Sequence, residues 1–338
     1  MVASSKSGQL EVPLNWLFIL IAGGAILITF FAFIQRQQSA SELSIAENLV
    51  SDLESIASVA GTAKGTAQQI DFPEEDITIG CTPDCSCLFS IGAISKPFGT
   101  NLIYSPNLIR GPNLVLYSID WNVPFRANNL LILTNSRTRY ILITPTLTPP
   151  INRLISIIPN MTNLRVAKGP EAQTAKNQRQ PEGKIRFIYF SQGQCDDFRG
   201  IELDEQDFSC LEVDLEKHTL DFYYRNRAGT ILGPDRQTYL SEGDLIGALF
   251  TESPDQYRCN SQAEMLRLAN LASVYQRRAA NVTTSTCGKS YTDAATQFER
   301  LATEARKAEN ASKLLLHYSI LSNLSEEFIR LSCKPELF

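Results

Sequence analysis

The chain has 338 residues, 43% hydrophobic and 20% charged, with a formal net charge of -5 at pH 7. That length holds ample material for a core, and the acidic balance argues against a nucleic-acid partner. With only two histidines, there is little scope for chemistry that pairs a histidine with a nearby nucleophile.

Residues 14–34, LNWLFILIAGGAILITFFAFI, form an uncharged apolar run of 21 residues. At ~1.5 Å rise per residue, such a helix is about 31 Å long, the depth of a bilayer's hydrocarbon core. The run therefore predicts a transmembrane helix over 13–35, with the lipid bilayer as its partner. A cleaved secretory signal is the alternative, but its apolar part is usually only about 7–15 residues and ends at a small-residue site. Here the run continues through Phe30, Phe31 and Phe33 into Gln35 and Arg36. Basic residues near the span lean toward an inside amino terminus, so the expected location is the cell membrane with the bulk of the chain outside. Ala46, Leu49, Leu53, Ile56 and Ala60 then step by three or four, which predicts an amphipathic stalk helix over 36–62. Its narrow stripe needs a partner, either the chain's own globular part or a neighbouring copy. Together with the small residues Ala22, Gly23, Gly24 and Ala25, the stripe suggests self-association through these helices.

A mixed α/β ectodomain is expected over 63–255. Residues 113–119, 130–134 and 139–145 are β-rich, and the NSRT between the last two suggests a hairpin. Residues 150–158 form a short amphipathic helix, and 184–191 is a near-continuous apolar run, as in a buried strand. Leu211, Val213 and Leu215, then Leu220, Phe222 and Tyr224, alternate about a turn, which predicts a second hairpin. Ser241, with an acidic residue three positions later, opens a helix. The basic stretch from Arg165 to Arg186 is best read as a solvated loop. The period is helical from Cys259 onward. Ser261 and Glu264 look like a capping box, and three helices over 259–338 predict a three-helix bundle. The fold class is therefore α+β.

All eight cysteines, Cys81, Cys85, Cys87, Cys195, Cys210, Cys259, Cys287 and Cys333, follow the apolar run. An even count outside the membrane fits disulfides in an oxidising exterior. In an up-down-up bundle Cys287 and Cys333 share one end, with Cys259 roughly 30 Å away, so they are expected to pair. Cys195 and Cys210 flank one loop and form a natural second pair. The Cys81, Cys85 and Cys87 group and Cys259 supply the rest, with one bridge tying the segment after the stalk to the start of the bundle. Zinc is the competing reading of C-T-P-D-C-S-C, but the spacing is not C-x2-C and no histidine is near. The acidic loop between Cys195 and Cys210 lacks EF-hand spacing. No nucleophile elbow, phosphate loop, dinucleotide fingerprint or H-E-x-x-H occurs, so no catalytic, cofactor or metal residue is assigned and the balance leans away from an enzyme.

The opening K-S-G-Q-L-E, residues 6–11, stands directly before the apolar run. It resembles the class III leader of archaeal type IV pilins and archaellins, matching at Lys6, Gly8 and Gln9. Ser7 stands where that family usually has Lys or Arg, and Pro13 where it has Glu. The resemblance implies a leader over 1–8, cleavage between Gly8 and Gln9, and a helix that packs in a filament core. The whole chain is similar to single-pass membrane proteins of archaea for which no activity is established. The resulting expectation is a cell-surface structural or interaction protein, a minor pilin-like subunit. A tethered ligand-binding or sensory ectodomain, which predicts a deep, partly apolar pocket in residues 90–255, is the alternative. A membrane-anchored hydrolase, which needs two facing carboxylates in a cleft, ranks third.

Overall fold

The computed structural model describes residues 11–62, 67–71, 75–82, 84–97, 102–123, 125–158, 163–168, 171, 184–195, 208–225, 231–282, 287–307 and 312–330. Helix α1 (Glu11–Thr62) runs for 52 residues. Pro13 lies in its first turn, where the missing N–H costs nothing, and the next proline is Pro73. The expected transmembrane helix over 13–35 is corrected: among the described residues, no helix is long and apolar enough to cross a membrane. No break in the backbone separates a membrane helix from a stalk. Further along, Leu49, Val50, Leu53 and Ile56 pack against Ile77, Phe89 and Ile91 and against Leu116, Leu131 and Leu133. The stalk stripe is thus covered by the chain's own globular part.

Three sheets carry the rest of that part. The first runs β1 (Ala67–Asp71), β7 (Asn113–Asn122), β8 (Arg126–Asn135), β5 (Ile103–Tyr104). A small sheet runs β4 (Ile94–Pro97), β3 (Cys87–Ile91), β2 (Ile77–Cys81), β6 (Leu108–Ile109). The largest has the order β10 (Leu164–Lys168), β9 (Thr138–Thr144), β11 (Lys184–Tyr189), β12 (Phe208–Asp214), β13 (Thr219–Arg225), β14 (Ile231–Thr238). Its first four strands are parallel and its last two pair antiparallel. Parallel strands covered on both faces read as continuous apolar runs, and Ile185 to Tyr189 are all buried.

The hairpin expected at NSRT is not formed. β8 pairs with β7, whereas β9 belongs to the other sheet. Asn135 makes the corner: its Oδ1 accepts from the Thr138 N–H at 2.9 Å and from the Thr138 hydroxyl at 2.8 Å. This side-chain turn redirects the strand instead of reversing it. The hairpin of β12 and β13 is present.

Helix α2 (Pro149–Ile157) buries Ile151 and Leu154. Helix α3 (Glu242–Phe250) starts at a complete capping box, with Ser241 and Asp244 bonded reciprocally. Helix α4 (Pro254–Ala280) starts earlier than expected, because Ser253 accepts from the Gln256 N–H and Pro254 occupies the first turn. Ser261 and Glu264 therefore lie inside the helix, and their reading as a cap is corrected. Helix α5 (Gly288–Lys307) packs on α4, and α6 (Ser312–Arg330) packs on α5. Among the described residues α4 and α6 make few contacts, so the three helices form a row and not the expected bundle. Ala294, Ala302 and Ala305, all buried on α5, let its neighbours approach closely. One core joins this row to the sheets: Trp121, Tyr140, Phe250, Tyr257, Leu268, Phe298 and Leu321 belong to a single cluster. Phe125, after β7, packs on Tyr275 of α4 at 4.4 Å between ring centres and on Phe298 of α5 at 5.8 Å.

Candidate functional site

A cavity of about 870 Å³ opens where β7, α2, the start of α3 and the β12–β13 turn meet. Ile119, Leu154, Ile157, Leu245 and Ile246 give it an apolar wall, and Tyr318 of α6 closes one side. The polar groups are few. Glu242 pairs with Arg153 at 2.8 Å on the rim, and Asp120 pairs with Arg126 at 3.5 Å. Both carboxylates thus face arginines, which does not match the pair of facing carboxylates that a hydrolase requires.

His218 is the unusual group in the lining. It ends the tight turn between β12 and β13 in the left-handed region, at φ 54°, where a residue other than glycine is uncommon. Its ring lies over Tyr239, with centres 4.8 Å apart. Its Nδ1 is buried with no hydrogen-bond partner among the described residues. Burial holds the imidazole below its usual range, against the opposing pull of the Tyr239 backbone and Asp214. A neutral ring at pH 7 carries one donor and one acceptor nitrogen. The cavity therefore offers an apolar surface with one imidazole and a charged rim, a common form of small-ligand site.

Two clusters of buried charge lie at the two ends of α3. Lys184 and Ser209 reach Glu252, which also accepts from the Asn107 N–H at 3.1 Å. Arg186, fully buried in β11, donates to the carbonyls of Leu249 at 2.7 Å and Ala248 at 2.9 Å. These carbonyls lie in the last turn of α3, where a cation is favoured, and the Ala248 carbonyl also accepts from the Thr251 N–H at 3.3 Å. Burial pulls the Arg186 guanidinium down to about 10, with Glu252 opposing, so it stays charged at neutral pH. In the second cluster Tyr104 donates to Glu264 Oε1. Asp244 Oδ1 and Glu264 Oε2 have no other partner among the described residues. Burial first, then Asp244, pushes the Glu264 carboxyl well up, and burial also raises Asp244.

All seven described cysteines are disulfide-bonded. Cys81 joins Cys87, Cys85 joins Cys259 and Cys195 joins Cys210. Cys287 is bonded as well; its expected partner Cys333 lies outside the described residues. The sulfurs of Cys81, Cys87 and Cys259 lie within 4.8 Å of one another, but as disulfides they offer no thiolate to a metal. Gly8, Gln9, most of the basic stretch over 165–186 and the acidic loop over 196–207 also lie outside the described residues. His317 on α6 faces Gln297 at 3.3 Å and does not line the cavity.

His218 lies in the turn between two alternating segments, and no local pattern links it to α2 and α3, which only the fold brings together. Arg186 did carry a signal: it is a cation inside the apolar run KIRFIY, and such a residue needs a buried partner. No family model matches the chain, and no curated protein or solved structure matches it.

Proposed function

We propose that the chain is a cell-surface interaction protein whose globular part binds a small ligand in the cleft beside His218. The cleft carries this reading. Most of its lining comes from residues 90–255, where a tethered binding domain is expected to have its pocket, with Ala67 and Tyr318 added from outside that segment, and its wall is apolar with one buried imidazole nitrogen left open. The ligand it fits has an apolar body and one hydrogen-bond donor or acceptor for the His218 ring. An extracytoplasmic place is supported by the cysteines, since bonding of every described thiol suits an oxidising compartment. The test is titration with the amphiphilic fluorophore 8-anilinonaphthalene-1-sulfonate, whose ring body is apolar and whose sulfonate is charged. Saturable one-to-one binding is expected, and Ile157→Trp, at the half-open edge of the cleft, should abolish it without loss of folding. Binding that survives this substitution would place the site elsewhere.

A second reading rests on the upper part of α1. Leu20, Ile28, Phe30, Phe31 and Phe33 are 59–74% exposed, as are their neighbours all round the helix, and a helix apolar on every face requires cover. In this reading α1 attaches the protein to lipid or to further copies of itself, as in a pilin-like subunit. Mass spectrometry of the mature chain tests it: an amino terminus at Gln9 supports the reading, and retention of Lys6 counts against it.

A further inference from the structure

Four of the cysteines meet at one place. Cys81 and Cys87 are directly opposed on β2 and β3, Cys85 sits in the turn between these strands, and Cys259 lies on α4. Across the turn the Thr82 N–H donates to the Ser86 carbonyl and the Cys85 N–H to the Thr82 carbonyl. Two separate disulfides do not require their sulfurs to crowd, yet Cys259 Sγ stands within 4.8 Å of both sulfurs of the Cys81–Cys87 bridge. Cys85 and Cys87 are half-buried, while Cys259 is only 3% exposed. By contrast, Cys195 and Cys210 are fully buried, with no third sulfur near them among the described residues.

We propose that these four sulfurs form a thiol–disulfide exchange centre whose substrate is a small thiol. The thiolate attacks Cys85 Sγ, the accessible end of its bridge. A bond forms between the incoming sulfur and Cys85, and the Cys85–Cys259 bond breaks. Cys259 leaves as a thiolate with the electron pair. Cys259 then attacks Cys81 or Cys87, bonds to it and expels the other as a thiolate. That thiolate attacks Cys85 in the mixed disulfide and releases the small thiol. No oxidant or reductant is consumed, and the thiol returned equals the thiol used. Either product keeps one bond between the β2–β3 hairpin and α4, so thiol attack permutes this staple, which is open only while the mixed disulfide lasts.

The test uses the full chain. Cys85→Ser leaves Cys259 as a free thiol beside an intact neighbouring bridge. After alkylation with N-ethylmaleimide and non-reducing peptide mapping, with cleavage before Asp84 to separate Cys81 from Cys87, the label is expected on Cys81 or Cys87, with Cys259 bonded. Label on Cys259 alone would overturn the proposal. A second measurement does not depend on that variant folding: the unaltered protein is exposed to limiting glutathione and quenched with acid over time. Peptides joining Cys259 to Cys81 or Cys87 should appear while Cys195–Cys210 persists. A glutathione adduct on Cys85 as the sole new species, with Cys259 free, would also overturn it.

Discussion

Helix α3 has a cluster of buried charge at each end, and the two are balanced differently. At its carboxyl end Glu252 has Lys184 and Ser209 as partners, while Arg186 is spent on the last carbonyls of the helix. At its amino end Asp244 and Glu264 lie together with the hydroxyl of Tyr104, and the cation Arg267 influences Glu264 less than burial and Asp244 do. Opposite charges can remain ionised when buried as a pair, whereas two adjacent carboxyls cannot both ionise, so one holds a proton. The first cluster should therefore respond to loss of a partner and the second to pH.

The largest effect is expected at Glu252. Glu252→Ala leaves the largely covered Lys184 without its anion and removes the charge that supports the buried Arg186. Breaking such a pair costs about 3–5 kcal/mol, measurable as a lower midpoint in urea unfolding at pH 7. The contrasting substitution is Glu264→Gln, which replaces an already protonated carboxyl with a neutral amide. It should cost far less at the same pH. Equal losses for the two would show that the clusters are not balanced differently.

The Glu264 carboxyl also sets a pH dependence. Its folded pKa lies well above the unfolded value, so between those two values the native state holds a proton that the unfolded chain has released. Stability is fully present below the unfolded carboxyl pKa and falls as pH rises toward the folded one, at about 1.4 kcal/mol per pH unit for one proton. Asp244 shifts in the same direction. Glu264→Gln should flatten this slope, as followed by urea unfolding between pH 5 and pH 8. A slope unchanged by the substitution would remove Glu264 as its source.

Much of this architecture was legible where periodicity is strong. β7, β11, the β12–β13 hairpin, α2 and the capping box of α3 follow directly from alternation, apolar runs and S-E-G-D. The strands from β1 to β6 were not, because they are 2–5 residues long, too short to show a period. The strand after β8 was assigned to the wrong neighbour because alternation fixes which face is buried but not which strand lies alongside; Asn135 decides that through its side-chain bonds to Thr138. S-x-x-E has the same spacing inside a helix as at its start, so its pattern alone does not separate Glu264 from a cap. The cleft depends on the contact of α2, α3 and the His218 turn, which no local pattern encodes.

The smallest effect expected concerns how Asp244 is held. Its Oδ2 accepts from the N–H groups of Leu240 at 2.9 Å and Ser241 at 2.8 Å, while the Ser241 hydroxyl accepts from the Asp244 N–H. Two backbone donors favour the charged form, so within the pair Asp244 is the ionised member and Glu264 carries the proton. Ser241→Ala removes one capping bond and neither backbone donor, at a cost of about 1 kcal/mol. The backbone donors of Ser241 and Leu240 do more than the Ser241 hydroxyl to hold the Asp244 carboxyl down, so the loss should vary little between pH 5 and pH 8. A loss that varies across that range would mean that Ser241 helps to decide where the proton sits, and that the cap and the acid pair are one unit.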